Sequence, residues 1–148
     1  MNEHVLVVPI TPAHPGFAAL RAEAAREGFS FVDRLALRWE TGANRFEQPG
    51  ECLLGAIVNA TLVGVGGLNR DPYATDGSIG RLRHLYVMRS ARRRGVGRLL
   101  VDRLVDRARP CFARIRLRTD TPDAAAFYLA RGFEAVADEP ATHGLTLR

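Results

Sequence analysis

The chain has 148 residues and a formal net charge of +5, from 21 basic and 16 acidic residues. Its length and apolar fraction of 47% are typical of one globular domain, so multidomain and small disulfide-stapled architectures are not expected. No apolar run approaches the ~18 residues of a membrane span. All basic residues are arginine, and thirteen lie between residues 81 and 118, beside only two acids. This basic segment is compatible with nucleic-acid binding, with a polyanionic small ligand, or with arginines on solvated surfaces.

The first half of the chain predicts a strand, two helices and a β-hairpin, in that order. Runs of β-branched residues favour strands, helical periodicity favours the helices, and the two residues Asn59 and Ala60 fit a tight hairpin turn. Glycines 64, 66 and 67 in the last strand predict a bulge, or close approach by a ligand or another backbone. The predicted bounds are Val5–Val8, Phe17–Arg26, Phe31–Glu40, Cys52–Val58 and Thr61–Leu68.

The second half predicts two strand–helix units and two short final strands. Pro110 ends the first helix, and Thr121, Pro122 and Asp123 have the order of an N-cap, a first helical proline and a first-turn acid. The predicted bounds are Leu82–Met88, Arg94–Ala108, Ile115–Arg118, Pro122–Arg131, Phe133–Ala137 and Leu145–Leu147. We therefore predict one domain over residues 1–148, of mixed-sheet α/β (α+β) class.

The two cysteines and the N-terminus indicate a reducing compartment, and the cysteines do not indicate a metal site. Cys52 and Cys111 lie in apolar runs without CxxC spacing or a nearby histidine pair, which predicts two buried free thiols and no metal site. The first residues lack the basic and then long apolar stretch of a signal peptide, so we expect a cytoplasmic protein.

The stretch from Leu85 to Leu100 carries the strongest chemical signal, because it places a strand, an arginine–glycine turn and an amphipathic helix in succession. The first N–H groups of a helix lack internal partners and lie at the positive end of its dipole, so a pyrophosphate can bind there. Gly95 and Gly97 remove side chains that would hold phosphates away. Charge at the same turn is supplied by Arg92, Arg93, Arg94 and Arg98.

Two other phosphate-binding motifs do not fit this turn. A Walker loop needs a lysine that the chain lacks, and Leu100 stands where a dinucleotide GxGxxG motif needs its third glycine. An ordinary strand-to-helix turn with solvated arginines is the structural alternative.

These residues resemble the Gcn5-related N-acetyltransferase (GNAT) family, whose acetyl-CoA motif is an LYV-like triplet followed by R/Q-x-x-G-x-G/A. Arg92 to Gly97 matches that motif in full, and Ala124 to Phe133 matches a second family motif, A-x-x-F-Y-x-x-x-G-F. The resemblance implies a mixed, mostly antiparallel central sheet flanked by about four helices. It also implies transfer of an acetyl group from acetyl-CoA to an amine in a ternary complex, without a metal.

The resemblance further implies which residues hold the cofactor and supply the acid. Backbone groups of Leu85, Tyr86 and Val87 would hold the pantetheine arm and the acetyl carbonyl. Backbone amides of the turn would receive the pyrophosphate, and these belong to Arg93, Arg94, Gly95, Val96, Gly97 and Arg98. Tyr128 matches the tyrosine that often protonates the coenzyme A sulfur, although a packed aromatic is the alternative for it.

The general base does not carry over from the family. Arginines occupy the neighbourhoods where relatives place a glutamate, at positions 81, 83 and 116. His84 is the preferred local candidate, since an ordinary histidine pKa of about 6.5 suits proton acceptance at neutral pH. Asp71, His143 and Glu51 are further candidates, and water could relay the proton without a dedicated base. Two departures from the family are Thr121, where an asparagine is frequent, and Met88–Arg89, where a proline is frequent.

The expected function is therefore a GNAT-type N-acetyltransferase that acts on a small-molecule or peptide amine. We expect no specific nucleic-acid partner and no membrane association, while the last strands, over residues 133–147, could pair in a homodimer. The expected acceptor walls are the first two helices and the loops 41–50 and 69–78, with Trp39, Phe46 and Tyr73 as aromatic candidates. The alternatives are an acyl-CoA sensor without turnover and a basic nucleic-acid-binding domain.

Overall fold

The computed structural model describes residues 4–138 and 140–148, and they form four α-helices and seven strands. A short 3₁₀ turn, Arg89–Ala91, precedes the third α-helix. The helices are α1 (Phe17–Arg26), α2 (Phe31–Thr41), α3 (Val96–Ala108) and α4 (Pro122–Ala130). The strands are β1 (Val5–Pro9), β2 (Cys52–Val58), β3 (Thr61–Arg70), β4 (Ile79–Val87), β5 (Arg114–Leu117), β6 (Glu134–Asp138) and β7 (Ala141–Thr146).

The strands form one sheet in the order β1-β2-β3-β4-β5-β7-β6. Every neighbouring pair is antiparallel except β4 and β5, which are parallel. The predicted mixed, mostly antiparallel sheet with four helices is thus confirmed. The β2–β3 hairpin also turns where expected, because Asn59 and Ala60 both adopt positive φ, of 50° and 65°, as a type I′ turn requires.

Several element bounds differ from the prediction for identifiable reasons. β3 and β4 continue their ladder to the pair Arg70 and Gly80, so backbone pairing extends both strands into the predicted loop. β7 begins at Ala141 because it pairs with β5 on one side and β6 on the other. Helix α3 starts at Val96, two residues late, since Arg93 and Gly95 take positive φ values of 64° and 79°.

Two hydrophobic clusters cover the two faces of the sheet. Consecutive residues of β2 alternate between them, as strand geometry requires: Leu53 packs with α1 and α2, whereas Leu54 packs with α3. Tyr86 belongs to the α1–α2 cluster and Tyr128 to the α3 cluster.

Of the two uses predicted for the β3 glycines, the structure shows the bulge, while the nearest neighbours of Gly66 and Gly67 are side chains. A register shift between Val65 and Gly67 marks a bulge in the β3–β4 ladder. A Cβ on Gly66 would lie 3.0 Å from Leu104 of α3, and one on Gly67 would lie 2.8 Å from Phe46. The close approach is therefore made by packed side chains.

One of the two cysteine predictions is wrong. Both thiols are free and Cys52 is buried, but Cys111 is exposed. The chain turns after α3, and Phe112 takes the buried position there at 1% exposure. Among the residues described, no helix is both long and apolar enough to cross a membrane.

Candidate active site

The cofactor-binding prediction falls on a stretch of β4 that leaves its parallel neighbour. Only Ile79, Gly80 and Arg81 pair with β5, whereas β4 continues to Val87 along β3. Within the described ranges, the β5-facing edge of residues 82–87 therefore has no strand partner. Unpaired strand edges present N–H and C=O groups that an extended ligand can meet. The triplet Leu85, Tyr86 and Val87 lies on this open edge.

A bulge interrupts β4 immediately before that triplet. His84 and Leu85 together face the single residue Gly66, and His84 has a φ of 64°. Bulges of this kind locally redirect side chains and frequently lie beside active sites. The sequence showed the glycines opposite but not which β4 residue would bulge.

The bulge holds His84 in a buried, electropositive environment. Its side chain lies against Phe46, with ring centroids 6.3 Å apart, and the residue is 8% exposed. Burial lowers the pKa of His84 to about 3, with added repulsion from Arg83, Arg34 and Arg38. The imidazole is thus neutral at physiological pH and accepts a proton poorly, contrary to the ordinary basicity assumed from the sequence.

Neither ring nitrogen of His84 makes a hydrogen bond of normal geometry in the described part of the chain, although the Phe31 backbone is near enough to oppose part of the lowering of its pKa. Buried polar atoms without partners are uncommon in native proteins and frequently mark a missing water or ligand.

The start of α3 has the predicted form of an anion-binding turn. Gly95 is the N-cap in the left-handed region, and a Cβ there would meet nothing within 4 Å. The backbone N–H groups of residues 95–98 donate to no acceptor among the described residues. A Cβ on Gly97 would make only ordinary contacts, 3.5 Å from Val87 and 3.6 Å from Phe127. Protein packing therefore does not require glycine at position 97, which is consistent with approach by a ligand.

Arg92 is engaged elsewhere than the sequence predicted. Its guanidinium pairs with both carboxylate oxygens of Glu27, the C-cap residue of α1, and its Nε donates to the Val87 carbonyl at 2.9 Å. The guanidinium also lies 5.5 Å from the centre of the Tyr86 ring. Arg92 therefore ties the turn to α1, whereas exposed Arg93, Arg94 and Arg98 surround the helix start.

The side chain of Tyr86 lies on the α1–α2 side of the sheet. Only the backbone of Tyr86 is therefore available at the open edge of β4. The hydroxyl lies 2.6 Å from Glu23 and 2.5 Å from Glu27, and Glu23 also accepts from the Arg89 backbone N–H at 3.0 Å. Burial and these carboxylates raise the pKa of Tyr86. Sequence reasoning missed Glu23 and Glu27, although Glu27 directly follows the predicted helix and their i, i+4 spacing puts both on one side of its last turn.

Tyr128 is a buried aromatic of α4, 7% exposed. Its ring packs against Phe127 and Phe133, with centroids 5.1 and 5.5 Å away. Burial raises the pKa of Tyr128, so the hydroxyl keeps its proton at neutral pH. Thr121, predicted as the cap of this helix, accepts a hydrogen bond from the Ala124 N–H at 3.1 Å and is confirmed in that role.

Two of the other base candidates have assigned partners. Asp71 is buried and accepts from Arg116 at 2.7 Å, with Arg81 at 3.7 Å. Glu51 accepts from the Asn69 side chain and the Arg70 backbone N–H, both at 3.0 Å. The arginines that replace the family glutamates at 81 and 116 are thus the partners of Asp71.

His143 lies on β7, opposite Leu117, and is buried. Its Nδ1 is 2.9 Å from the Thr142 hydroxyl. In the sheet β5 lies between β7 and β4, so His143 is one strand removed from the open edge of β4.

A cavity of about 380 Å³ lies beside the bulge. We call it the arginine cavity. Its walls come from the end of α2, the loop after it, the end of β3 and Arg83 of β4. The lining residues are Arg38, Gly42, Ala43, Asn44, Arg45, Glu47, Gln48, Glu51, Asn69, Arg70, Pro72 and Arg83.

The aromatic residues expected there lie elsewhere. Trp39 and Phe46 line a separate cavity of about 230 Å³. Tyr73 is 61% exposed and lies against the guanidinium of Arg81, 4.8 Å from the ring centre. The arginine cavity is instead polar and charged. No group of three or more potential metal ligands occurs among the residues the structure describes.

Comparison with solved structures supports the fold over nearly the whole chain. An inferred acetyltransferase from Exiguobacterium sp. 255-15 is 26% identical, with a TM-score of 0.85 over 97% of this chain and 93% of that one. A GNAT-family acetyltransferase from Staphylococcus aureus Mu50 is 16% identical, with a TM-score of 0.76 over 98% and 100%. The inferred acetyltransferase yncA from Salmonella typhimurium, whose structure holds its cofactor acetyl-CoA, is 18% identical, with a TM-score of 0.71 over 97% and 94%.

Comparison with curated proteins yields no match. The model of the acetyltransferase (GNAT) family, however, matches residues 17–133, which include α1, the open edge of β4, the turn before α3 and Tyr128. The chain belongs to the GNAT family of acetyltransferases.

Proposed function

We propose that this protein is an N-acetyltransferase that transfers the acetyl group of acetyl-CoA to an amine. The observation that carries the proposal is the open edge of β4, which is followed along the chain by a helix start whose amides have no acceptor among the described residues. The edge suits an extended pantetheine arm, and the helix start suits the pyrophosphate. Acetyl-CoA would supply the activated acetyl group at the open edge.

In the proposed reaction the amine nitrogen attacks the thioester carbonyl carbon. A C–N bond forms, the C–S bond breaks, and the amine proton departs, giving an N-acetyl product and the coenzyme A thiol. Donors on the open edge of β4, in residues 85–87, would stabilise the charge that develops on the carbonyl oxygen.

We propose Tyr128 as the group that meets the departing sulfur. Because burial raises its pKa and an ordinary thiol has a pKa near ~8.5, full proton transfer from Tyr128 to a free thiolate is uphill. Its contribution is therefore a hydrogen bond to the sulfur as negative charge develops. Loss of one such charged hydrogen bond costs roughly 10- to 100-fold in rate.

His84 is proposed as a neutral hydrogen-bond acceptor for the incoming amine or for a water that carries its proton to solvent. The low pKa of His84 makes it a poor store for that proton, and its unpartnered nitrogens leave an acceptor available. The pH profile of kcat/KM should then show no titration near pH 6.5 that can be assigned to His84. His84→Asn should therefore leave the shape of the acid side of the profile unchanged.

The experiment that tests the function combines binding with turnover. Acetyl-CoA should raise the Tm of the protein, and an amine library should release free thiol in its presence. Tyr128→Phe should lose 10- to 100-fold in kcat, while Phe127→Leu, beside it in α4, should change kcat less than threefold. Full kcat in Tyr128→Phe across pH would remove Tyr128 from the mechanism.

An acyl-CoA sensor without turnover is the second candidate. It is favoured by the occupied carboxylates of Asp71 and Glu51, since neither is free to act as a base in this structure. Stabilisation by acetyl-CoA without thiol release from any amine would support it. A nucleic-acid-binding domain would instead lose affinity steeply with salt and respond little to acetyl-CoA.

We also propose a cytoplasmic location and a homodimer. β6 is an edge strand of the sheet, so residues 134–138 could pair with a second copy. Sedimentation of the wild-type chain beside a variant with proline at Ala135 would test the pairing.

A further inference from the structure

The arginine cavity carries excess positive charge beside the proposed reaction centre. Four of its ionisable lining residues are arginines and two are glutamates: Arg38, Arg45, Arg70, Arg83, Glu47 and Glu51. Neither of the two acids forms an ion pair with Arg83 among the described residues. Glu51 is held by Asn69 and by backbone N–H groups, and Glu47 is exposed.

Arg83 is the central cation of this cavity. The residue is partly buried, and its guanidinium has no ion-pair or hydrogen-bond partner in the described ranges. The nearby arginines Arg81 on β4 and Arg116 on β5, by contrast, share the buried carboxylate of Asp71. Burial, with repulsion from Arg38, Arg81 and Arg34, lowers the pKa of Arg83.

An anion bound at such a site would be stabilised by these cations. A partly buried cation loses hydration, and like-charged neighbours add to that cost. A carboxylate is the natural complement, because the planar guanidinium fork can donate two parallel hydrogen bonds to it. Arg38, also without a carboxylate within 4 Å among the described residues, lines the same cavity.

The location connects this anion site to the proposed chemistry. Arg83 directly precedes the bulge residue His84, and the cofactor triplet follows at once. Arg83 lies two residues before Leu85 on the same strand, so an acceptor whose anion binds in the arginine cavity would approach β4 next to the proposed acetyl site. The cavity of about 380 Å³ has room for a molecule of that size.

We propose that the acceptor is a small amine that also carries a carboxylate, and that Arg83, with Arg38, binds that carboxylate. The proposal rests on the proposed N-acetyltransferase function. It makes Arg83 a specificity-determining residue for the acceptor.

The test compares matched amines with and without the negative charge. An amino acid, its primary amide and its decarboxylated amine are assayed for thiol release, with an aminoalkyl phosphate as a further arm. The amino acid should exceed the two neutral partners at least tenfold in kcat/KM. A higher kcat/KM for the aminoalkyl phosphate than for the amino acid would overturn the assignment of a carboxylate. Equal rates for all four compounds would overturn the anion site itself.

Arg83→Gln should raise KM for the amino acid at least tenfold, with less change in kcat and little change for the neutral amines. The control Arg103→Gln makes the same charge change on an exposed position of α3 and should alter none of these values. The Tm of Arg83→Gln should equal or exceed that of wild type, because an unpaired cation is removed. A lower Tm with unchanged KM would assign Arg83 a structural role and overturn the proposal.

Binding without turnover separates this inference from the proposed function. Millimolar amino acid should raise the Tm of the wild-type protein but not of Arg83→Gln, while acetyl-CoA should stabilise both. Absence of any acetyl-CoA effect in either protein would refute the proposed function. Absence of the amino-acid effect in wild type, with acetyl-CoA still binding, would refute the carboxylate site alone.

Discussion

Replacing His84 should make the folded protein less sensitive to acid. Folding lowers the pKa of His84 from 6.5 to about 3. Below pH 6.5 the unfolded chain therefore binds a proton that the folded chain excludes, and stability falls as the pH falls toward 3. Each pH unit in that window costs about 1.4 kcal/mol. Between pH 8 and pH 5, His84 should thus remove about 2 kcal/mol from the free energy of unfolding.

Urea denaturation at pH 8 and pH 5 measures this difference for wild type, His84→Asn and His84→Ala. Asparagine suits the backbone at this position, where φ is 64°. The two variants will differ at pH 8, because they repack against Phe46 differently, but both lack the imidazole. Each should lose about 2 kcal/mol less than wild type on going to pH 5. Parallel pH dependence in all three proteins would show that the folded state protonates His84 normally, and the electropositive burial argument would be wrong.

Three further substitutions probe the framework of the site. Asp71→Asn removes the buried carboxylate shared by Arg81 and Arg116 and should cost about 1–3 kcal/mol in urea unfolding; a loss below about 0.5 kcal/mol would mean that this carboxylate is dispensable. Gly67→Ala places a Cβ 2.8 Å from Phe46 and should cost about 1–3 kcal/mol, with an unchanged Tm showing that Phe46 moves freely. Gly95→Ala keeps a φ of 79° in open space, so it should cost about 1 kcal/mol through backbone strain; a much larger loss by thermal unfolding would indicate a packing contact.

Local sequence signals determined the order of the elements and the position of the arginine–glycine turn before α3. The two positive φ values at Asn59 and Ala60 and the cap by Thr121 are decided within a few residues of chain. The strand–turn–helix order that ends in Gly95 is equally local, since a helix start leaves its amides free wherever it lies. These features are therefore readable without knowledge of the remaining fold.

Contacts between segments distant in sequence decided which partners individual charged side chains have. Arg92 reaches Glu27 across 65 residues, and Asp71 reaches Arg116 across 45. No local pattern indicates which of 21 arginines finds a carboxylate, because that depends on which strands and helices become neighbours.

The properties of His84 on β4 likewise depend on contacts that adjacent residues do not reveal. The sequence alone marked His84 as a histidine beside the cofactor triplet, with ordinary basicity. The bulge, the packing of Phe46 and the convergence of Arg34, Arg38 and Arg83 changed it to a neutral, buried imidazole. Motif spacing determined where the arginine–glycine turn lies along the chain, because the motif consists of adjacent residues. Burial and unpaired charge were decided only by the tertiary structure, because both depend on which atoms surround a group in space.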